Sequence, residues 1–201
     1  MVDKSDVKAF EHYRKAAEKL SVLAMHKLSL IYETGAGTRS DLAEAFRWAT
    51  KAAESGFPPA QTTLARYYEF GKGVSKNLDK ARDLYESAAE NGDVTAASYL
   101  GIVYADGMWG KKDQSKAIHF ASLAANLGDA AAANLLATCF EKGQGVPPDS
   151  SKALTWYRRA AELGDRASAI YLSMVYSKGL LGVTPDREKA ESYMQMAEKD
   201  L

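Results

Sequence analysis

"YEFGKGVSKNLDKA", Tyr68 to Ala81, is nearly repeated 72 positions later as "FEKGQGVPPDSSKA", Phe140 to Ala153. Midway between them stands "YADGMWGKKDQSKA", Tyr104 to Ala117, so the period is 36 residues. The register extends to Gly35, Gly71, Gly107, Gly143 and Gly179, and upstream to Leu28, Leu64, Leu100, Leu136 and Leu172. Tyr32, Tyr68, Tyr104, Phe140 and Tyr176 keep the same spacing, as do Ala45, Ala81, Ala117 and Ala153. One extra residue in the last loop moves the final alanine to Ala190. Repeats of this length are the mark of stacked structural units. The units run 23–58, 59–94, 95–130, 131–166 and 167–201, preceded by a half unit at 5–22 that carries Ala9, Phe10, Ala16 and Ala17.

One unit predicts two helices. In the fourth, Ala132, Leu136, Cys139 and Phe140 share a helical stripe, and Gly143 can take the left-handed conformation that ends a helix. Pro147 and Pro148 block immediate resumption, and Asp149 is placed to cap the second helix. Ala153, Trp156, Tyr157 and Ala160 form its stripe, and Gly164 stops it. Such a pair cannot bury its own apolar stripe, but stacked pairs can. The expected fold is all-α: one solenoid domain over 1–201, a right-handed α-α superhelix of 36-residue helix-turn-helix repeats.

Composition bounds the function. Lys+Arg and Asp+Glu are both 26, so no excess positive charge is available for nucleic acid or an anionic membrane. A single cysteine, Cys139, excludes an intramolecular disulfide. No apolar run reaches the ~20 residues of a membrane span, and the charged N-terminus does not read as a signal peptide. A lone second helix followed by whole units up to Leu201 fits a slice of a longer array, equally that of an exported or membrane-anchored parent. Compartment and oligomeric state are not legible.

The pattern A-x-x-x-L-[GA]-x-x-Y-x-x-G-x-G-V-x-x-[DN]-x-x-K-A…A-A-x-x-G resembles the Sel-one-like repeat, a relative of the tetratricopeptide repeat. Ala60 to Gly92 carry it almost completely; Trp109 replaces the second glycine of the third unit, and Thr38 stands for valine in the first. The resemblance implies a non-enzymatic adaptor that holds a protein or extended peptide in a concave groove, in signalling, secretion, quality control or host–microbe contact. A cysteine-rich bacterial branch, linked to β-lactam binding, pairs cysteines within each repeat. Cys139 has no such mate, which argues against carrying that activity over. Small-molecule or cell-wall glycan binding, or a hydrolase of that branch's kind, is the alternative.

No residue pattern points to catalysis, a metal or a cofactor. His12, His26 and His119 lack zinc-type spacing. The Gly-x-Gly pairs follow helices in phase with the repeat and read as helix stops rather than phosphate loops. Cys139 sits at an apolar core position shared with Ile31, Tyr67, Val103 and Val175, so it reads as buried and inert. A partner is expected where the repeat does not dictate the residue. By resemblance, the helix face opposite the leucine stripe lines the groove. It comprises His26, Leu30 and Glu33, then Thr62, Arg66 and Glu69, then Ser98, Ile102 and Ala105. Asn134, Thr138 and Glu141 follow, then Ile170, Met174 and Ser177, with Tyr99 and Tyr171 at the edge. Arg66 can grip a carboxylate with its fork, and Asn134 can clamp a peptide amide.

Overall fold

A computed structural model describes residues 4–198, so the expected helix end at Leu201 lies outside the described residues. Among them the chain forms eleven α-helices and no strand. These are α1 (Lys4–Glu18), α2 (Val22–Thr34), α3 (Leu42–Glu54), α4 (Pro58–Phe70), α5 (Leu78–Glu90) and α6 (Val94–Asp106). They continue as α7 (Gln114–Asn126), α8 (Ala130–Lys142), α9 (Ser150–Glu162), α10 (Arg166–Lys178) and α11 (Arg187–Glu198). The even-numbered helices open each repeat, one residue ahead of the unit starts drawn from the sequence. The chain divides into two compact units, Met1–Ala96 and Ala97–Leu201.

Helix ends follow the local chemistry. Asp41, Asn77, Asp113, Asp129, Asp149 and Asp165 accept from free N–H groups of the first turn. Pro58 instead occupies the first helical position, where its missing N–H costs nothing. Gly35, Gly71, Gly143 and Gly179 end their helices in the left-handed region, each donating its N–H to the carbonyl four residues back.

In the first unit the core gathers Phe10, Leu28, Trp48, Leu64 and Tyr67 among Ala45, Ala49, Ala52 and Ala60. The alanines let helices approach closely, and the rings fill the gaps. Phe10 meets Tyr32 edge-on with centroids 5.5 Å apart, and Phe46 meets Tyr68 the same way at 5.4 Å. In the second unit Leu172, Val175, Tyr176 and Tyr157 pack with Ala153 and Ala161, and Tyr176 stacks on Tyr193 at 5.7 Å. Leu28, Leu64, Leu100, Leu136 and Leu172 are all buried. Each contributes about 2 kcal/mol through its burial, which accounts for their fixed register. Cys139 is buried, and burial pushes its thiol pKa up, away from the reactive range.

The second glycine of each loop has a separate role. A Cβ on Gly37 would lie 2.2 Å from the Asp6 carbonyl oxygen of α1, and one on Gly73 would lie 2.1 Å from that of Leu42 in α3. In the second unit a Cβ on Gly145 would lie 2.6 Å from Cβ of Gln114 in α7. The loop backbone thus seats directly on the start of the preceding repeat's second helix. Trp109 departs from this rule; its ring lies 6.0 Å from Tyr99 and 6.4 Å from Tyr104. Another departure is Leu20, at φ 65, where Gly56, Gly92, Gly128 and Gly164 occupy the corresponding turns.

Candidate functional site

The groove-face residues of the first unit are drawn into a polar seam between α2 and α4. His26 is only 9 % exposed, and its Nε2 lies 3.0 Å from Thr63 Oγ1. Thr63 Oγ1 donates to the Pro59 carbonyl, which leaves it to accept from a proton on His26 Nε2. Lower along the seam, Glu33 collects three donors. Arg66 Nη2 donates to Oε2 at 2.6 Å, Lys72 Nζ to Oε1 at 2.8 Å and the Tyr67 hydroxyl to Oε2 at 3.2 Å. Burial pushes the Glu33 pKa up, but the Lys72 hydrogen bond, the Arg66 and Lys72 charges and the Tyr67 hydroxyl outweigh it, leaving it below the ordinary value. Tyr67 is fully buried; burial and the Glu33 charge push its pKa well above the tyrosine range. Glu69 is 5 % exposed and accepts from the Tyr85 hydroxyl at 3.0 Å.

The second unit repeats the device with other residues. Asn134 Nδ2 donates to Ser168 Oγ at 2.7 Å, and Ser168 Oγ donates to Asp165 Oδ2 at 2.6 Å, joining α8 to α10. Glu141 accepts from Tyr157 at 2.6 Å through Oε2 and from Tyr171 through Oε1. Burial, the hydrogen bond and the Glu141 charge push Tyr171 up to about 12. Thr138 Oγ1 donates to the Asn134 carbonyl at 3.1 Å and lies 3.3 Å from the Tyr157 hydroxyl.

These contacts correct the expected groove at two positions. His26 and Glu69 are buried and hold the fold, because a polar group at the seam between stacked helices finds its partner on the neighbouring helix rather than in solvent. The donors assigned to a ligand, Arg66 Nη2 and Asn134 Nδ2, are likewise engaged within the chain. Leu30, Glu33, Thr62, Ser98, Tyr99, Thr138 and Glu141 are partly buried. Ile102, Ile170 and Met174 remain exposed. The tyrosine partners went unread in the sequence, although a signal exists. Tyr85 and Tyr157 stand 16 residues after Glu69 and Glu141, and where Ala105 replaces the glutamate, Ala121 replaces the tyrosine.

The seam has a pH signature. Burial and the nearby Lys27 charge hold the His26 pKa below 6.5 in the folded chain. The unfolded chain therefore binds the proton first, and stability falls as pH drops through about 6.5 toward the folded value. Thermal melts from neutral pH to about pH 5 are expected to show this decline, and His26→Gln to flatten it. The Glu33 contribution is lost only lower, as pH falls below the ordinary 4.5.

Among the described residues, no group of three or more His, Cys, Asp or Glu is placed to hold a metal ion. No helix in them is long and apolar enough to cross a membrane.

Paired helices in 36-residue register, joined by glycine-seated loops and polar seams, define a helical repeat protein of the solenoid class. The Sel1 repeat model matches residues 1–19, 22–57, 58–93, 94–129, 130–165 and 166–199, and the chain belongs to the Sel1 repeat family. Sel1 repeat proteins generally act as protein-interaction scaffolds, and their fold is typically non-catalytic. The chain is similar to a Sel1 repeat protein from Oxalobacter formigenes, at 37% identity and TM-score 0.82 over 98% of this chain and 80% of that one. It also resembles c5321, a protective antigen of uropathogenic Escherichia coli with an SLR fold. There the identity is 29% and the TM-score 0.67, over 96% of this chain and 49% of that one. A third likeness is to the immunity protein Pa5087 from Pseudomonas aeruginosa, at 26% identity and TM-score 0.55 over 94% of this chain and 72% of that one. Comparison with curated proteins finds no match.

Proposed function

We propose that the chain is a non-enzymatic adaptor that binds a protein segment through the first helices of its repeats. The observation that carries this reading is Ile102, 45 % exposed on the groove face of α6. The first, second and fourth repeats give this position to the half-buried Leu30, Arg66 and Thr138, and an apolar side chain left open here, as Met174 also is in the fifth, is suited to receive a partner's apolar side chain. Tyr99 lies one turn away on α6, and its ring contacts Trp109 of the following loop. That loop has given up its seating glycine for Trp109, and it exposes Met108, Lys111 and Lys112. Two lysines beside an apolar patch favour a segment that carries carboxylates next to its apolar anchors.

Selection from a displayed peptide library tests the proposal. Enriched peptides are expected to pair apolar and acidic residues, and Ile102→Glu is expected to weaken them about tenfold or more. Peptides that bind Ile102→Glu as tightly as the native chain would overturn the assignment of the face.

A further inference from the structure

We infer that the loop rim of the first unit docks on an anionic lipid surface, its apolar side chains entering the interface between basic ones. The seating glycines set the members of this rim side by side. The Cβ built on Gly37 also lies 2.7 Å from the backbone nitrogen of Val7, and the one built on Gly73 falls on the backbone of Leu42. Phe70 is the last residue of α4, directly before the second of these loops. Val7, Leu42 and Phe70 are 41 %, 41 % and 62 % exposed.

The repeat shows that the chemistry of this rim, and not its exposure, is what has changed. The position of Phe70 is held by Thr34, Asp106, Lys142 and Lys178 in the other repeats, and all four are exposed. The position of Val7 is held by Ala43, Asp79, Ser115 and Ser151, again all exposed. Asp6, Gln114 and Ser150 stand where α3 has Leu42. Polar or small residues therefore suit these places, and in the first unit three larger apolar side chains stand there together. Apolar groups gathered on an open surface mark a contact.

Charge names the kind of contact. Lys+Arg and Asp+Glu balance over the whole chain, but not in these loops. Residues 35–41 and 71–77 hold Arg39, Lys72 and Lys76 against a single carboxylate, Asp41, which accepts from the backbone N–H groups of Ala43 and Glu44. Arg39 and Lys76 are exposed and pair with no carboxylate among the described residues. Lys72 is bound to Glu33, yet its side chain stays 40% exposed. At the neighbouring helix starts Glu44 pairs with Arg47 and Asp79 with Arg82, while Asp6 stands open. Cations set among apolar side chains fit a bilayer interface, where the cations meet phosphates and the apolar groups enter between headgroups. A protein partner would anchor in a shaped pocket. Here the apolar side chains come from three separate helix ends, an arrangement that a bilayer accepts without a fitted cleft.

Co-sedimentation of the full chain with phosphatidylcholine vesicles, with and without about one third phosphatidylserine, tests this. The native chain is expected to bind the phosphatidylserine vesicles, to ignore phosphatidylcholine alone, and to come off as salt is raised. Arg39→Glu with Lys76→Glu is expected to weaken binding about thirtyfold or more, and Phe70→Ala about tenfold. These side chains are exposed, so the thermal midpoint of each variant is expected to stay near the native value. A native chain that ignores both kinds of vesicle overturns the proposal, whether the rim then takes an acidic protein or nothing. So does binding that phosphatidylcholine alone supports equally, or binding indifferent to either variant. The adaptor reading rests on Ile102 and fails separately: Ile102→Glu is expected to bind the vesicles as the native chain does.

Discussion

Gly73→Ala is expected to destabilise the chain by about 3 kcal/mol, lowering its thermal midpoint by roughly 6–12 °C. Two effects add at this position. Gly73 has φ 68, a region that L side chains avoid, and an added Cβ would sit 2.1 Å from the Leu42 carbonyl oxygen. That oxygen belongs to the backbone at the start of α3, so the clash cannot be relieved by turning a side chain. Gly56→Ala separates the effects. Gly56 has φ 75 but nothing within 4 Å of a built Cβ, so only the backbone conformation is strained, at about 1 kcal/mol. The reverse substitution, Leu20→Gly, removes a side chain already held at φ 65 at the corresponding turn and is expected to stabilise by up to about 1 kcal/mol. Chemical denaturation of the three variants measures the ordering. Equal losses for Gly73→Ala and Gly56→Ala would show that the loop does not seat on α3.

Glu33→Ala is expected to cost about 2 kcal/mol, because it leaves the hydroxyl of the fully buried Tyr67 with only the Ser29 carbonyl, 3.5 Å away, as acceptor. Arg66 and Lys72 add little to that loss; their side chains are 41% and 40% exposed, and water takes over as their partner. Tyr67→Phe is expected to cost about 1 kcal/mol on its own, and the double variant clearly less than the sum of the two. The hydroxyl is then absent when its acceptor is removed. Strict additivity in this cycle would mean that Glu33 and Tyr67 do not act as a pair.

The fold was legible because its causes are local and repeated. The leucine, tyrosine and alanine stripes and the glycine stops recur every 36 residues, and each follows from how one helix packs on the next. The groove face was read less well, and the reason is physical. A helix stripe tells which side chains point away from the leucines, but not whether a neighbouring helix, of the same repeat or the next, reaches over them. His26 and Glu69 lie on that stripe, yet the partners that bury them, Thr63 and Tyr85, stand 37 and 16 residues away. Glu33 is bound by residues 33 to 39 positions on, in a different repeat. Polar residues on this face therefore divide into those that join repeats and those left for a partner, and only the contacts between helices separate the two groups. Ile102 shows the converse: it was read on this stripe from the sequence, and its exposure sets it apart from the half-buried Leu30, Arg66 and Thr138 at the same position.

The most direct measurement pairs affinity with stability on two variants of the second unit. Asn134→Ala removes a bond between α8 and α10; it is expected to lower the thermal midpoint and leave the affinity for a selected peptide unchanged. Ile102→Glu is expected to leave the midpoint unchanged and weaken binding about tenfold or more. The opposite pattern, with binding lost in Asn134→Ala and kept in Ile102→Glu, would mean that the seam itself is the recognition surface, and it would contradict the division of this face drawn above.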